Sequence, residues 1–263
     1  MQKLYVIKIG GNVIDDDNSL QKFLHNLSLI KENIILVHGG GKVATEISKG
    51  LGIEAQMVDG RRITDAETLK IVTMVYGGLI NKKIVSQLQA NGKNAIGLTG
   101  ADANIIQSSK RPLKNGIDYG FVGDVEKINP QPIVHFLSMG LTPVIAPLTH
   151  DLKGNILNTN ADTVASTLAV GLAENFAVNL IYCFELKGVL QDINDKNSVI
   201  TEINTERYQQ LKQDGIIAKG MIPKMDNSFD AIKAGVSSVT ICHADDLVSI
   251  INDRAQKGSL LRL

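Results

Sequence analysis

Residues 33–47 read NIILVHGGGKVATEI, and this stretch decides the fold. Asn33 to His38 is an unbroken β-rich apolar run. Gly39-Gly40-Gly41 interrupts it, and Val43, Ile47 and Leu51 then recur at helical spacing as far as Gly52. A strand that is apolar at consecutive positions is buried on both faces, the habit of a parallel sheet lying between helices. The alternation continues in both directions. LYVIKI (4–9) is an earlier strand, followed by Gly10-Gly11 and a helix over 18–31. Downstream, NAIGL (94–98), TPVIAP (142–147), NLIYCF (179–184) and SVTIC (238–242) read as strands, and 131–140, 160–173, 205–214 and 223–234 as helices, with a hairpin around Asp118–Gly123. One long helix is expected from about 65 to 90. A capping box opens it, in which Thr64 caps and Glu67 reaches back. The expected fold class is α/β, a three-layer αβα sandwich with a mostly parallel central sheet and two lobes, divided near residue 176 into 1–176 and 177–263.

Composition narrows the function. The chain has 263 residues, 44% apolar and 21% charged, enough to build a core of its own. Lys and Arg number 27 and Asp and Glu 27, giving a net charge of zero, which argues against holding nucleic acid by phosphate neutralisation and against a polybasic membrane anchor. With no Trp and only 4% aromatics, a base-stacking platform is disfavoured as well. No signal-peptide pattern and no long uncharged apolar stretch is visible, so a soluble, cytoplasmic protein is expected. Cys183 and Cys242 lie in apolar runs and are expected to be reduced, buried thiols. The five histidines show no ligand spacing, so no protein metal site is expected.

Glycines cluster where strands end: Gly10-Gly11, Gly39-Gly40-Gly41, then Gly97 and Gly100. A parallel sheet gathers ligands at the carboxyl ends of its strands, and glycine there lets backbone N–H groups approach an anion closely. The P-loop pattern is absent, since Gly41-Lys42 is followed by Val43 and Gly92-Lys93 by Asn94. A dinucleotide-type pattern, Gly39-x-Gly41-x-x-Ala44 with Asp59 downstream, offers a competing oxidoreductase reading. Lys8 favours phosphoryl transfer instead. An ammonium inside VIKIG is costly without a partner, and phosphoryl transfer calls mainly for positive charge and N–H donors around the moving group.

Lys8-Ile9-Gly10-Gly11, His38-Gly39-Gly40-Gly41, Gly60-Arg61-Arg62-Ile63-Thr64, Asn158-Thr159-Asn160-Ala161-Asp162 and Gly220-Met221-Ile222-Pro223-Lys224 occur in this order. Together they resemble the amino-acid kinase family over essentially the whole chain. The resemblance implies transfer of the γ-phosphoryl of ATP, with Mg²⁺ carried by the nucleotide, to the side-chain carboxylate of an N-acyl-L-glutamate in arginine biosynthesis. The acyl group is acetyl, or alternatively succinyl. It assigns acyl-glutamate binding and dimerisation to 1–176 and ATP to 177–263. It implies that Lys8 and Lys224 bracket the phosphoryl group and that Asp162 holds their ammonium groups in place. Gly10, Gly11, Gly40 and Gly41 would face phosphoryl oxygens or the reacting carboxylate. Arg62 would grip a substrate carboxylate, and Asn158 would bind the α-carboxylate or amide region. After the strand near 180, similar kinases read close to T-D-V-x-G-V-L; here Phe184 and Glu185 depart from that pattern, while Gly188 keeps it. Phe184 is expected in the nucleotide region. Ile71, Met74 and Val75 give the 65–90 helix a second apolar face, and the resemblance implies a homodimer built there. Arginine-inhibited members carry an extra helix before the first strand. Here the strand opens at Lys3 or Leu4, so an arginine-insensitive dimer is expected.

Overall fold

A computed structural model describes residues 1–263 apart from 59, 60, 114, 218–220, 253–256 and the side chain of Arg61. Gly60 and Gly220 of the motifs, and Asp59 of the competing reading, therefore lie outside the described residues. The architecture is α/β with a mostly parallel sheet and helices on both of its sides, as expected. The contacts form two compact units, Met1–Leu36 with Ala165–Leu263, and Val37–Val164. This grouping does not follow chain order. All seven residues of the Lys3–Ile9 strand pair in parallel with Ala177–Cys183, which ties the first strand to the last third of the chain.

In the first unit the strands lie in the order Glu202–Ile203, Ser259–Leu261, Ser238–His243, Ala177–Phe184, Lys3–Ile9 and then the first four residues of the Asn33–His38 strand. Leu4, Val6, Ile7 and Ile9 are wholly buried, so both faces of the first strand are covered, which is why its apolar residues do not alternate. The Asp17–Ser28 helix buries Leu20, Phe23, Leu24 and Leu27 at helical spacing, and Asp16 caps it by accepting from the Ser19 amide at 2.7 Å.

The second unit holds a parallel pair, Ala95–Leu98 with Thr142–Ile145, and a four-stranded sheet ordered Ile156–Asn158, Leu148–His150, Ile106–Lys110 and Gly123–Ile128. The Ile106–Lys110 strand escapes a sequence reading because Ser108, not an apolar residue, fills a buried position beside Ile106. It pairs antiparallel with Gly123–Ile128, so the hairpin is wider than the 117–128 segment, and Asp118–Gly120 is only a turn within it.

The expected single helix over 65–90 is three segments: α-helix at Ala66–Val72, π-helix at Thr73–Ile80 and α-helix at Asn81–Ala90. The wide turns fall on Gly77-Gly78, where a Cβ at Gly77 would touch Leu148 at 3.4 Å. The cap also moves by one residue. Asp65, not Thr64, accepts from the Thr68 amide at 2.8 Å, because the buried Thr64 hydroxyl is engaged by Asn158; Glu67 pairs with Lys70 instead of reaching back. Ile71 and Val75 are buried within the unit itself, so Met74 alone of the second apolar face is exposed, and Leu79 of the main stripe is exposed as well. No helix among the described residues is long and apolar enough to cross a membrane.

Candidate active site

Lys8 stands near the end of the first strand, opposite Tyr182 in the neighbouring strand, and is only 8% exposed. Its Nζ lies 5.4 Å from the centre of the Phe184 ring. Lys224 reaches the same ring from the first turn of the Ile222–Lys233 helix, where Pro223 fits a position that needs no N–H, and its Nζ lies 3.8 Å from the ring centre. The two lysines expected to bracket a phosphoryl group thus converge on one aromatic side chain. Gly10 donates its amide to the Cys183 carbonyl at 3.2 Å, and Gly11 opens the Gly11–Asp15 helix, where first-turn amides have no intrahelical acceptor. At the ends of the Ala177–Phe184 and Ser238–His243 strands lies a cavity of about 490 Å³, lined in part by Glu185, Lys187, Leu190, His243, Asp245 and Asp246. Gly188 has a packing reason to be glycine, since a Cβ there would press on the Ser259 hydroxyl at 2.7 Å and Val199 at 2.9 Å. Cys183 and Cys242 are paired in register, free and buried, with sulfurs 4.0 Å apart. The hydrogen bond to Cys242 and burial push the Cys183 thiol well above its ordinary range, so it stays protonated.

In the second unit, Gly40 has φ +145, and a Cβ there would collide with Ile80 and press on the Tyr76 ring at 3.2 Å, so only glycine fits this turn. Gly41 begins the Gly41–Gly50 helix. Arg62 is fastened beside it: Nη2 donates to the Gly41 carbonyl at 2.9 Å and to Thr45 Oγ1 at 2.7 Å. Its Nη1 is buried and has no hydrogen-bond partner among the described residues. A guanidinium anchored through Nη2, with Nη1 buried, is suited to an incoming carboxylate. Tyr76, on the π-helix, adjoins Arg62; burial raises its phenol above the ordinary value and the guanidinium opposes that rise. Asn158 donates from its amide to Thr64 Oγ1 at 2.9 Å, and Asn160 Oδ1 accepts from the amides of Asp162 and Thr163, which places Asp162 in the first turn of the Ala161–Gly171 helix.

Beneath the glycine turn, fully buried His38 bonds through Nδ1 to the Gly39 carbonyl at 2.8 Å and through Nε2 to the Asn81 amide at 3.2 Å. Asn81 Nδ2 also donates to the Val144 carbonyl, so it is a donor and His38 Nε2 is the acceptor. A neutral imidazole with its proton on Nδ1 satisfies every partner. Burial lowers the His38 pKa to about 4, consistent with that assignment.

Within the first unit the structure brings Lys8, Gly10, Phe184 and Lys224 together; within the second, Gly40, Gly41 and Arg62 form one cluster and Asn158 meets Thr64. Sequence reasoning passed over Thr45, Tyr76, Asn81 and the lysine contacts of Phe184. Among the described residues, no group of three or more His, Cys, Asp or Glu side chains comes together to hold a metal ion.

The sequence profile of the amino acid kinase family matches residues 3–243. The chain belongs to the amino acid kinase family. It is thus a kinase that uses ATP and acts on a small molecule, and the dinucleotide reading of Gly39–Ala44 is set aside. A relative from Cytophaga hutchinsonii, named acetylglutamate kinase, is 72% identical over 261 residues, 99% of each chain. Another of that name, from Phocaeicola vulgatus, is 56% identical over 252 residues, 96% of each chain. Among solved structures, smu.665 from Streptococcus mutans UA159 superimposes with a TM-score of 0.77 at 27% identity, covering 98% of both chains. The amino acid kinase fold is therefore shared along nearly the full length.

Proposed function

We propose that this kinase transfers the γ-phosphoryl of ATP to the side-chain carboxylate of N-acetyl-L-glutamate, forming an acyl phosphate in arginine biosynthesis. The observation that carries the chemistry is the convergence of Lys8 and Lys224 on one ring at the end of the first strand. Two buttressed ammonium groups supply the positive charge that a transferring phosphoryl needs, while the amide of Gly11 adds an N–H donor. The name shared by relatives 72% and 56% identical supports the acceptor.

The acceptor carboxylate is gripped by Arg62 beside Gly40 and Gly41, and Asn158 binds the α-carboxylate or amide region. Asp162 is the third residue assigned to catalysis. ATP takes the cavity near Glu185 and His243, with Gly10 admitting its phosphates, so residues 177–263 serve the nucleotide and the earlier part of the chain the acceptor. Magnesium arrives on the nucleotide, with phosphates and water as its oxygen ligands, in keeping with the hard-cation preference. The enzyme is a cytoplasmic homodimer, with exposed Met74 and Leu79 at the contact; a sedimentation mass of 28.4 kDa rather than twice that would refute the dimer.

Hydroxylamine trapping with ATP, Mg²⁺ and a panel of N-acyl glutamates tests the function. Hydroxamate is expected with N-acetyl-L-glutamate in proportion to ADP. Turnover confined to N-succinyl-L-glutamate would move the acceptor assignment to that acyl group, and silence across the panel from folded protein would end the proposal.

A further inference from the structure

We propose that Phe184 is a positioning residue of the transfer site, whose ring face holds the ammonium groups of Lys8 and Lys224 for the incoming phosphoryl. The inference rests on the kinase function proposed above and adds a residue to it. Lysine side chains are long and rotamer-rich, and two ammonium groups repel each other, so something must keep both aimed at one place. One ring contributes to this for both, with Lys224 Nζ at 3.8 Å and Lys8 Nζ at 5.4 Å from its centre. The negative face of an aromatic quadrupole attracts ammonium within this range without offering a hydrogen bond or a formal charge, so a phosphate oxygen can take over the contact. The ring is itself fixed. It stacks on Tyr182 with centroids 6.2 Å apart and planes inclined by 13°, and the backbone at Gly10 packs against its edge, a Cβ there lying 3.5 Å from Cδ1. Tyr182 is wholly buried and pairs with Lys8 in register, so ring and ammonium ride on adjacent strands. An adenine-stacking role fits less well, because Lys224 already covers a face of the ring.

Graded fluorination of Phe184 changes ring electronics with little change in shape and tests this directly. From one to three fluorines, kcat is expected to fall stepwise to about a tenth, within the range of a cation–π contact, while KM for ATP and for the acyl-glutamate stays within about twofold. Phe184→Tyr retains kcat; Phe184→Leu loses about as much as the trifluoro ring. In ¹³C-lysine spectra, the Lys224 ε-methylene protons are expected upfield from the ring current and return to ordinary values in Phe184→Leu. A flat kcat across the fluorine series overturns the proposal, as does a rise in ATP KM alone, which would mark an adenine platform. If the unmodified enzyme turns over no acyl-glutamate, the kinase function fails, and the ring-current shift still decides whether Phe184 holds the lysine.

Discussion

Lys8 and Lys224 on the one hand, and the Gly40–Gly41 turn with Arg62 on the other, are built by opposite means. Both lysines lie over one ring, whose attraction for ammonium is not a directional bond and yields readily to a phosphate. The glycine turn is locked by directional bonds: Arg62 to Gly41 and Thr45 above, and His38 to Gly39 and Asn81 below. Groups that follow charge from one oxygen to another during transfer must be free to adjust. Groups that recognise a carboxylate gain by being fixed beforehand, because the ordering cost is met in folding rather than in binding. The contrast predicts that damage to the first cluster shows in kcat and damage to the second in KM and stability.

The largest effects are expected at the lysines. Lys8→Ala and Lys224→Ala should each lower kcat by about 10²–10³ with little change in either KM, as removal of one electrostatic donor does. Steady-state kinetics check this, and unchanged kcat with raised KM would make the lysines mere binders.

Next comes the pH dependence of His38. The folded imidazole titrates at about 4, against the ordinary value of 6.5, so between these limits the unfolded chain binds the extra proton. Stability is therefore full above about pH 6.5 and falls as pH drops, by about 3 kcal/mol across the window. Asp16, Asp65, Asp118 and Asp151 are all lowered from 3.8 by hydrogen bonds to their carboxylates, so their contributions are lost only at lower pH and leave this window to the imidazole. Urea unfolding at pH 7 and pH 5 measures it; equal stabilities would mean that His38 is not held neutral.

Arg62→Ala is expected to raise KM for the acyl-glutamate by about 10–100-fold, the worth of charge-assisted hydrogen bonds to a carboxylate, with ATP KM and kcat nearly unchanged. Initial rates with each substrate varied in turn check this. The smallest effect sharpens the picture of the rigid cluster. Asp65→Ala removes the cap of the helix between Arg62 and Tyr76 and should cost about 1 kcal/mol of stability without altering either KM. Calorimetry and kinetics on the same sample separate the two.

Much of this was legible in the sequence, because strand ends marked by glycine and a lysine inside an apolar strand are local features. The parallel alternation, Lys8, the Gly39–Gly41 turn and buried, unbridged Cys183 and Cys242 all follow from neighbours in the chain. What escaped depends on distant partners. Ser108 hides a strand because a polar residue fills a buried position beside Ile106. Thr64 looks like a cap until Asn158, 94 residues away, takes its hydroxyl. Phe184 is placed in the nucleotide region by the sequence, but its contacts with two lysines from separate elements appear only in the fold. The parallel pairing of the first strand with Ala177–Cys183, more than 170 residues away, is likewise invisible to neighbours in the chain.

The central claim is that the lysines serve the transfer step and Arg62 serves acceptor binding. Rapid-quench single-turnover measurement of γ-phosphoryl transfer, with both substrates saturating, compares Lys8→Ala with Arg62→Ala most directly. The account predicts a transfer rate about 10²–10³ lower in Lys8→Ala and close to the unmodified enzyme in Arg62→Ala. Equal slowing in both variants would contradict it.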